Sequence, residues 1–128
     1  MTDITPPFGG RQAIEAYGAH GFRISGVVYR GAVIVFPDTT IAWPVTALTG
    51  VTAESLAPVS ERAGGEGEID ILLLGCGRRT APISPTLRAE LKGVRITIDA
   101  MDTGAACRTY DVLATEGRRV AAALLPLA

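Results

Sequence analysis

The stretch "IDILLLGCGRRTAPISPTLRAELKGVRITIDAM", residues 69–101, decides the fold. It opens with a run that is apolar on both faces, which is typical of a strand buried on two sides of a sheet. Ser84 then suits a helix N-cap and Gly93 suits a helix exit, so a helix follows. A second run, rich in β-branched residues, comes next. Because one helix of roughly ten residues joins the two runs, 69–74 and 94–99 are predicted to be parallel strands.

The next stretch, "MDTGAACRTYDVLATEGRR", predicts a second helix. Either Asp102 or Thr103 is expected to be its N-cap. The helix should begin near Thr103 or Gly104 and end at Gly117, where glycine favours an exit. Four residues share one face at helical spacing: Ala106, Tyr110, Leu113 and Ala114. These residues predict the side that packs on a sheet.

The first half of the chain reads as antiparallel strands. "AIEAY" and "FRISGVVY" alternate as strands do, and residues 29–32 are predicted to form a tight turn into the strand "AVIVF". Thr52 is expected to cap a short helix over 53–63, which Pro58 distorts or shortens. Residues 1–10 contain proline and glycine without periodicity, and we interpret them as a flexible lead-in.

Together these elements predict one α/β domain over residues 11–128. The last sixty or so residues alternate strand, helix, strand, helix and strand, which favours parallel pairing with right-handed crossovers. The final segment, 120–125, is expected to be a buried strand. The architecture is then a mixed central sheet with helices packed on it and an antiparallel N-terminal portion.

Composition narrows the function classes. The chain has 128 residues, 48% of them hydrophobic, and a net charge of −1, so no global field attracts nucleic acid. No apolar run reaches the roughly 18 residues of a membrane helix, and the N-terminus lacks a signal-peptide pattern, so we expect a cytoplasmic protein without membrane insertion. Two cysteines do not make a disulfide framework.

Two loops should leave the carboxyl edge of the parallel strands, where ligands bind in open α/β sheets. The candidate ligand- or partner-binding residues are Gly75, Cys76, Gly77, Arg78, Arg79, Asp102, Thr103, Gly104, Cys107 and Arg108. The glycines would permit close backbone approach, the helix N-terminus would attract an anion, and the arginines would add positive charge. A tight strand-to-helix turn explains the same glycines, and an ordinary cap explains the acid and the hydroxyl.

The sequence gives only weak indications of a catalytic site. Cys107 stands near a helix N-terminus, where a thiol pKa falls, but core packing explains it as well. His20 is the only histidine, and nothing in the sequence brings it to Cys107. Two thiols and one imidazole are too few for a zinc site, and no dinucleotide or phosphate-loop motif is present, so we predict no metal, no cofactor and no catalytic residue.

Several motifs resemble one known family. "YGAHGFRISG", "LLLGCGRRT" and above all "MDTGAACRTYDVLATEGRRVAAALLP" look like the Mth-domain family, from about Ile14 to Pro126. This family includes the mitochondrial complex I (NADH:ubiquinone oxidoreductase) assembly factor 3 and the adipogenesis-associated Mth-domain protein. Cys107, Asp102 and Thr103 match the family pattern, whereas Cys76 and Asp111 stand where threonine and asparagine are more usual.

The resemblance implies a three-layer α/β fold of the Mth type, in a bacterial member. It also implies a non-enzymatic accessory protein that helps to assemble complex I through a protein partner, such as a respiratory-complex subunit. The alternative is a small-molecule or anion-binding protein, or an enzyme, that uses a cleft around Cys76 and Cys107.

Overall fold

The computed structural model describes residues 11–62 and 68–128, so the predicted lead-in over 1–10 lies outside the described residues. The described strands are β1 (Ile14–Tyr17), β2 (Gly21–Ile24), β3 (Val27–Arg30), β4 (Val33–Val35), β5 (Thr40–Ala42), β6 (Ile71–Gly75), β7 (Thr97–Met101) and β8 (Val120–Leu124). The helices are α1 (Ala57–Ser60), α2 (Pro85–Lys92) and α3 (Thr103–Thr115), with a 3-10 turn at Leu48–Gly50.

The central sheet has five strands in the order β5-β4-β8-β6-β7. β6 pairs in parallel with β7 and with β8, which confirms the predicted parallel strands and the buried final strand. β4 is antiparallel to both β5 and β8, so the sheet is mixed. The strand order follows from the two β-α-β units. Their helices pack on opposite faces of the sheet, so right-handed crossovers place β7 and β8 on opposite sides of β6.

The first three strands form a separate antiparallel sheet in the order β1-β2-β3. The predicted turn at 29–32 is wrong. The hairpin turns at Ser25 and Gly26, whose φ angles are 48° and 82°, and a two-residue turn with both φ positive matches the twist of a hairpin. At Gly31, with φ 85°, the chain leaves β3 and passes to the central sheet.

The two faces of the central sheet cover separate apolar clusters, because side chains alternate along each strand. The α2-side cluster contains Ile34, Leu56, Leu72, Leu91, Ala123 and their neighbours. The α3-side cluster contains Phe22, Val35, Leu73, Tyr110, Ala122 and their neighbours. β1–β3 contribute to the second cluster, so helix α3 and the small sheet together form the third layer.

The helix predictions are confirmed for α2 and α3, and in part for the segment 53–63, where a shortened helix is present but Thr52 is not its cap. The Ser84 hydroxyl accepts the Leu87 N–H, as a cap should. Among the described residues of that segment, 53–62, the α-helix covers Ala57–Ser60, since Pro58 has no N–H to donate and is tolerated only in a first turn. Thr52 instead accepts the Ser55 N–H within the preceding turn.

Candidate functional site

The predicted loops meet at the carboxyl edge of the parallel strands. The Cys76 N–H donates to the Met101 carbonyl at 2.9 Å, and the Thr103 N–H donates to the Gly77 carbonyl at 2.8 Å. The Leu125 N–H donates to the Gly75 carbonyl at 3.0 Å, which adds the end of β8 to the same junction. Three chain segments that are distant in sequence are therefore tied together by backbone hydrogen bonds.

Thr103 is the centre of this junction. It is fully buried, and its hydroxyl accepts the Gly77 N–H at 2.8 Å while donating to the Leu125 carbonyl at 2.6 Å. A buried hydroxyl whose donor and acceptor capacities are both used in this way satisfies two backbone groups that would otherwise lose hydrogen bonds. Thr103 thus acts as a structural bridge.

Asp102 is the N-cap of α3, which settles the choice between the two predicted caps. Its carboxylate accepts the Ala105 N–H at 2.9 Å. With the Thr103 N–H already bonded to Gly77, two donors of the first turn are occupied, and the aspartate adds negative charge beside them. This arrangement lowers the attraction of the helix N-terminus for an anion.

The glycines of the junction serve close packing. A Cβ at Gly75 would lie 2.8 Å from Leu124 Cδ2 and 3.0 Å from Thr103 Oγ1. A Cβ at Gly104 would lie 2.7 Å from the Tyr17 hydroxyl. Gly77 has φ 90°, which disfavours residues with a side chain. Gly75 and Gly77 are therefore required by packing and by backbone conformation, whereas at Gly104 the exposed Tyr17 side chain can move aside.

The two cysteines do not form a common cleft. Cys76 is buried in the α2-side cluster and Cys107 is buried in the α3-side cluster, on the opposite face of the sheet. The expected cleft around both thiols is therefore wrong, because neighbouring loops can point side chains to opposite faces. A hollow of about 200 Å³ beside Cys76 is lined by Arg78, Leu125 and adjoining residues.

The thiols are also poorly suited to nucleophilic work. Burial raises the pKa of Cys107 to about 12, and the nearby Asp111 carboxylate contributes to that rise. Burial likewise raises the pKa of Cys76. Because the thiolate is the nucleophile, these directions favour packing over reactivity. Both cysteines are free.

The arginines of the predicted site lie on the surface. Arg78, Arg79 and Arg108 are exposed. Arg108 Nη1 lies 3.4 Å from the Tyr17 hydroxyl, so it reaches toward the β1–β2 loop. His20, in that loop, is exposed and far in sequence from any thiol. Across residues 11–62 and 68–128 no group of three His, Cys, Asp or Glu side chains is placed to hold a metal ion.

The sequence reasoning missed a second surface, the solvent face of the small sheet. Phe22 and Ile24 of β2 point into the core, so Arg23 between them faces solvent together with its cross-strand partner Val28. An open hollow of about 400 Å³ lies here, within the size of small-ligand sites. In "RISGVVYR", the alternation of side chains indicates this solvent face once the turn is placed at Ser25 and Gly26.

These features define a small three-layer α/β domain. The segments that meet at the ends of β6, β7 and β8 serve mainly to pack the domain. A family model described as a protein of unknown function, DUF498/DUF598, matches residues 14–125. The chain therefore belongs to this DUF498, Mth938-like family, as the motifs indicate. Within the described ranges, none of the helices is both long and apolar enough to cross a membrane.

Relatives at the level of sequence are of two kinds. The chain is 38% identical over 127 residues to an uncharacterized protein of Rhodobacter capsulatus, covering 99% of this chain and 94% of that protein. It is 34% identical over 113 residues to NADH dehydrogenase [ubiquinone] 1 alpha subcomplex assembly factor 3 of Danio rerio, covering 88% of this chain. The match spans 63% of that assembly factor, so the chain corresponds to about three fifths of its length.

Solved structures confirm the fold. A Mth938-like domain protein of Bordetella pertussis, whose structure was solved by NMR in solution, is 29% identical with a TM-score of 0.84, over 100% of this chain and 94% of that one. A Bartonella henselae protein described as an outer membrane protein is 38% identical with a TM-score of 0.82, over 91% and 96%.

Proposed function

We propose that this chain is an accessory protein that assists the assembly of respiratory NADH dehydrogenase, complex I, by binding a protein partner. The observation that carries the proposal is the 34% identity, over 88% of this chain, to an assembly factor of that enzyme. The proposal places the protein in the cytoplasm, with a respiratory-complex subunit as the partner.

The geometry supports binding more than catalysis. The hydroxyl of Thr103 and the carboxylate of Asp102 are the polar groups best suited to chemistry where the strands end. Both are engaged in structural hydrogen bonds, since Thr103 bridges two loops and Asp102 caps α3. Arg78, Arg79 and Arg108 remain at the surface, where a guanidinium can pair with a partner's carboxylate. We include these three arginines in the proposed partner surface.

The proposal is tested by deleting the gene in the organism that encodes the chain. Membranes are then resolved by native electrophoresis, with the amount of complex I and its NADH dehydrogenase activity as readouts. We expect less assembled complex I in the deletion strain and restoration by the intact gene. Normal complex I in the deletion strain would contradict the proposal.

Arg108→Ala tests the predicted contact at residue level. The side chain is exposed, so stability should change by no more than about 0.5 kcal/mol. Partner capture in a pull-down should weaken, and raised salt should weaken capture by the parent protein as well, because exposed charges are screened. Arg118→Ala, an exposed arginine beyond the other end of α3, is the matched control. Equal capture by both variants at low salt would remove Arg108 from the partner surface.

A further inference from the structure

Strand β3 is the open edge of the small sheet. In the described part of the chain it pairs only with β2. Val27 is 52% exposed and Val28 is 72% exposed, which is unusual for neighbouring valines in a strand. An exposed apolar edge strand is a template for pairing with another chain.

The register shows which backbone groups are available at this edge. Ile24 pairs with Val27 across the two-residue turn, so these two residues exchange both of their backbone hydrogen bonds. The pattern alternates along the ladder, so the N–H and C=O groups of Val28 and Arg30 point away from β2. A further strand would find two donors and two acceptors spaced as a β-ladder requires.

The formally charged side chains that line the hollow beside the edge are arginines, and Glu15 of β1 lies close to them. The hollow of about 400 Å³ is lined by Arg23, Arg30 and His20, and no acidic side chain is among its described lining residues. Glu15, the nearest carboxylate in the small sheet, pairs with Arg23 at 3.4 Å. Both side chains of that pair are largely exposed, at 60% and 45%, so the ion pair holds Arg23 weakly.

We propose that the β3 edge binds an extended acidic segment of a protein partner, which adds to the small sheet as a fourth strand. This proposal rests on the proposed function, since it names the surface and the chemistry by which the partner is held. The ladder groups of Val28 and Arg30 provide affinity, and the arginines select acidic side chains on the solvent face.

A second copy of this chain fits the edge less well. Two-fold pairing of β3 with itself would place the solvent faces of both copies on the same side of the joined sheet. The register that sets Arg30 of one copy opposite Arg30 of the other would place like charges in a cross-strand pair, which is destabilising. An acidic segment meets the same backbone groups without this repulsion.

The test uses NMR titration of the full chain with two peptides of about eight residues, a length typical of strands. One peptide alternates glutamate and valine, and the other alternates lysine and valine. We expect the acidic peptide to shift the amide signals of residues 27–30 and to protect the Val28 and Arg30 amides from exchange. The lysine peptide should bind at least about tenfold more weakly than the acidic peptide.

Two variants and a control separate the contributions. Val28→Pro removes the edge-facing N–H and leaves the β2–β3 bonds intact, because proline is tolerated on edge strands, and it should weaken the acidic peptide by about tenfold. Arg30→Glu should weaken it by about fivefold. Val28→Thr keeps the N–H and the branched shape, and should bind as the parent does.

Three results with the purified protein would overturn the proposal. One is an equal response to both peptides, and another is unchanged binding by both Val28→Pro and Arg30→Glu. The third is a concentration-dependent dimer whose interface maps to β3, which would assign the edge to a second copy.

The same variants are then expressed in the deletion strain. Restoration of complex I by both variants would overturn the edge proposal and leave the assembly role intact. A deletion strain with normal complex I would remove the assembly role, while the titration would still decide the edge.

Discussion

At the scale of single residues, Thr103 carries the most structural information. One hydroxyl satisfies the Gly77 N–H and the Leu125 C=O, so it joins the loops that follow β6 and β8 to the start of α3. The side chain has no access to solvent, so water cannot replace either bond. A side chain of the same shape that lacks the hydroxyl is therefore insufficient at this position.

Thr103→Val should destabilise the fold by about 2 kcal/mol or more, because it leaves two buried backbone groups without partners at about 1–3 kcal/mol each. Thr103→Ser is the matched control, since it keeps the hydroxyl and loses one methyl group, at roughly 1 kcal/mol. Urea denaturation measures both variants. Equal losses for valine and serine would show that the hydroxyl contributes nothing.

The burial of Cys107 predicts that the free energy of unfolding falls at alkaline pH. Burial raises its folded pKa above the ordinary value of about 9, to about 12. The unfolded thiol ionises first, so stability is complete below pH about 9 and falls as the pH rises toward about 12. The slope is up to about 1.4 kcal/mol per pH unit.

Cys107→Ala removes this titration while Tyr110 still titrates in both proteins. The difference in unfolding free energy between parent and variant should therefore shrink between about pH 9 and 11, as urea denaturation can follow. A difference that stays constant with pH would mean that Cys107 ionises as readily in the folded protein as in the unfolded one.

At the scale of elements, the parts predictable from sequence are those specified by local signals. Ser84 and Gly93 bound α2 through their own backbone and side-chain preferences, and the apolar run of β6 requires burial on both faces. The sequence alone does not specify the hairpin turn, because Ser25-Gly26 and Arg30-Gly31 are both acceptable turn pairs. Only the register against β1 and the passage into β4 distinguish them.

The candidate site was predictable in position but not in role. The loops were expected at the carboxyl edge, and they meet there. Whether Asp102 or Thr103 caps α3 depends on Gly77 and Leu125, which approach Thr103 only after the sheet has formed. The opposite facing of the two thiols likewise follows from tertiary packing, because sequence spacing between two loops does not specify a face.

β8 is the element on which the central sheet depends most. It lies between β4 and β6, and all five of its residues are buried. A chain that ends before Val120 loses the ladder bonds to both neighbours and exposes both apolar clusters. We expect such a truncation to abolish the cooperative melting transition, as calorimetry would show. A truncated chain that keeps its transition would make the segment peripheral.

At the scale of the whole molecule, the two apolar clusters share the same strands. Along β6, Leu72 and Leu74 face the α2 side while Leu73 faces the α3 side, and β8 alternates in the same way. Both outer layers pack on these shared strands. Loss of packing on one face must therefore weaken the support for the other, which predicts a single cooperative unfolding unit.

Two matched leucines test this coupling. Leu91 is buried on the α2 side and Leu73 is buried on the α3 side, and either Leu→Ala change should cost about 2–5 kcal/mol. Unfolding is followed by the fluorescence of Trp43, which lies in the α2-side cluster, and by helical circular dichroism, to which α3 contributes the longest helix. Each variant should lower the urea midpoints of both probes equally, because removing support from one face releases the strands that the other face needs. If Leu73→Ala lowered the dichroism midpoint and left the Trp43 midpoint unchanged, the α3 layer would unfold by itself and the two faces would be independent.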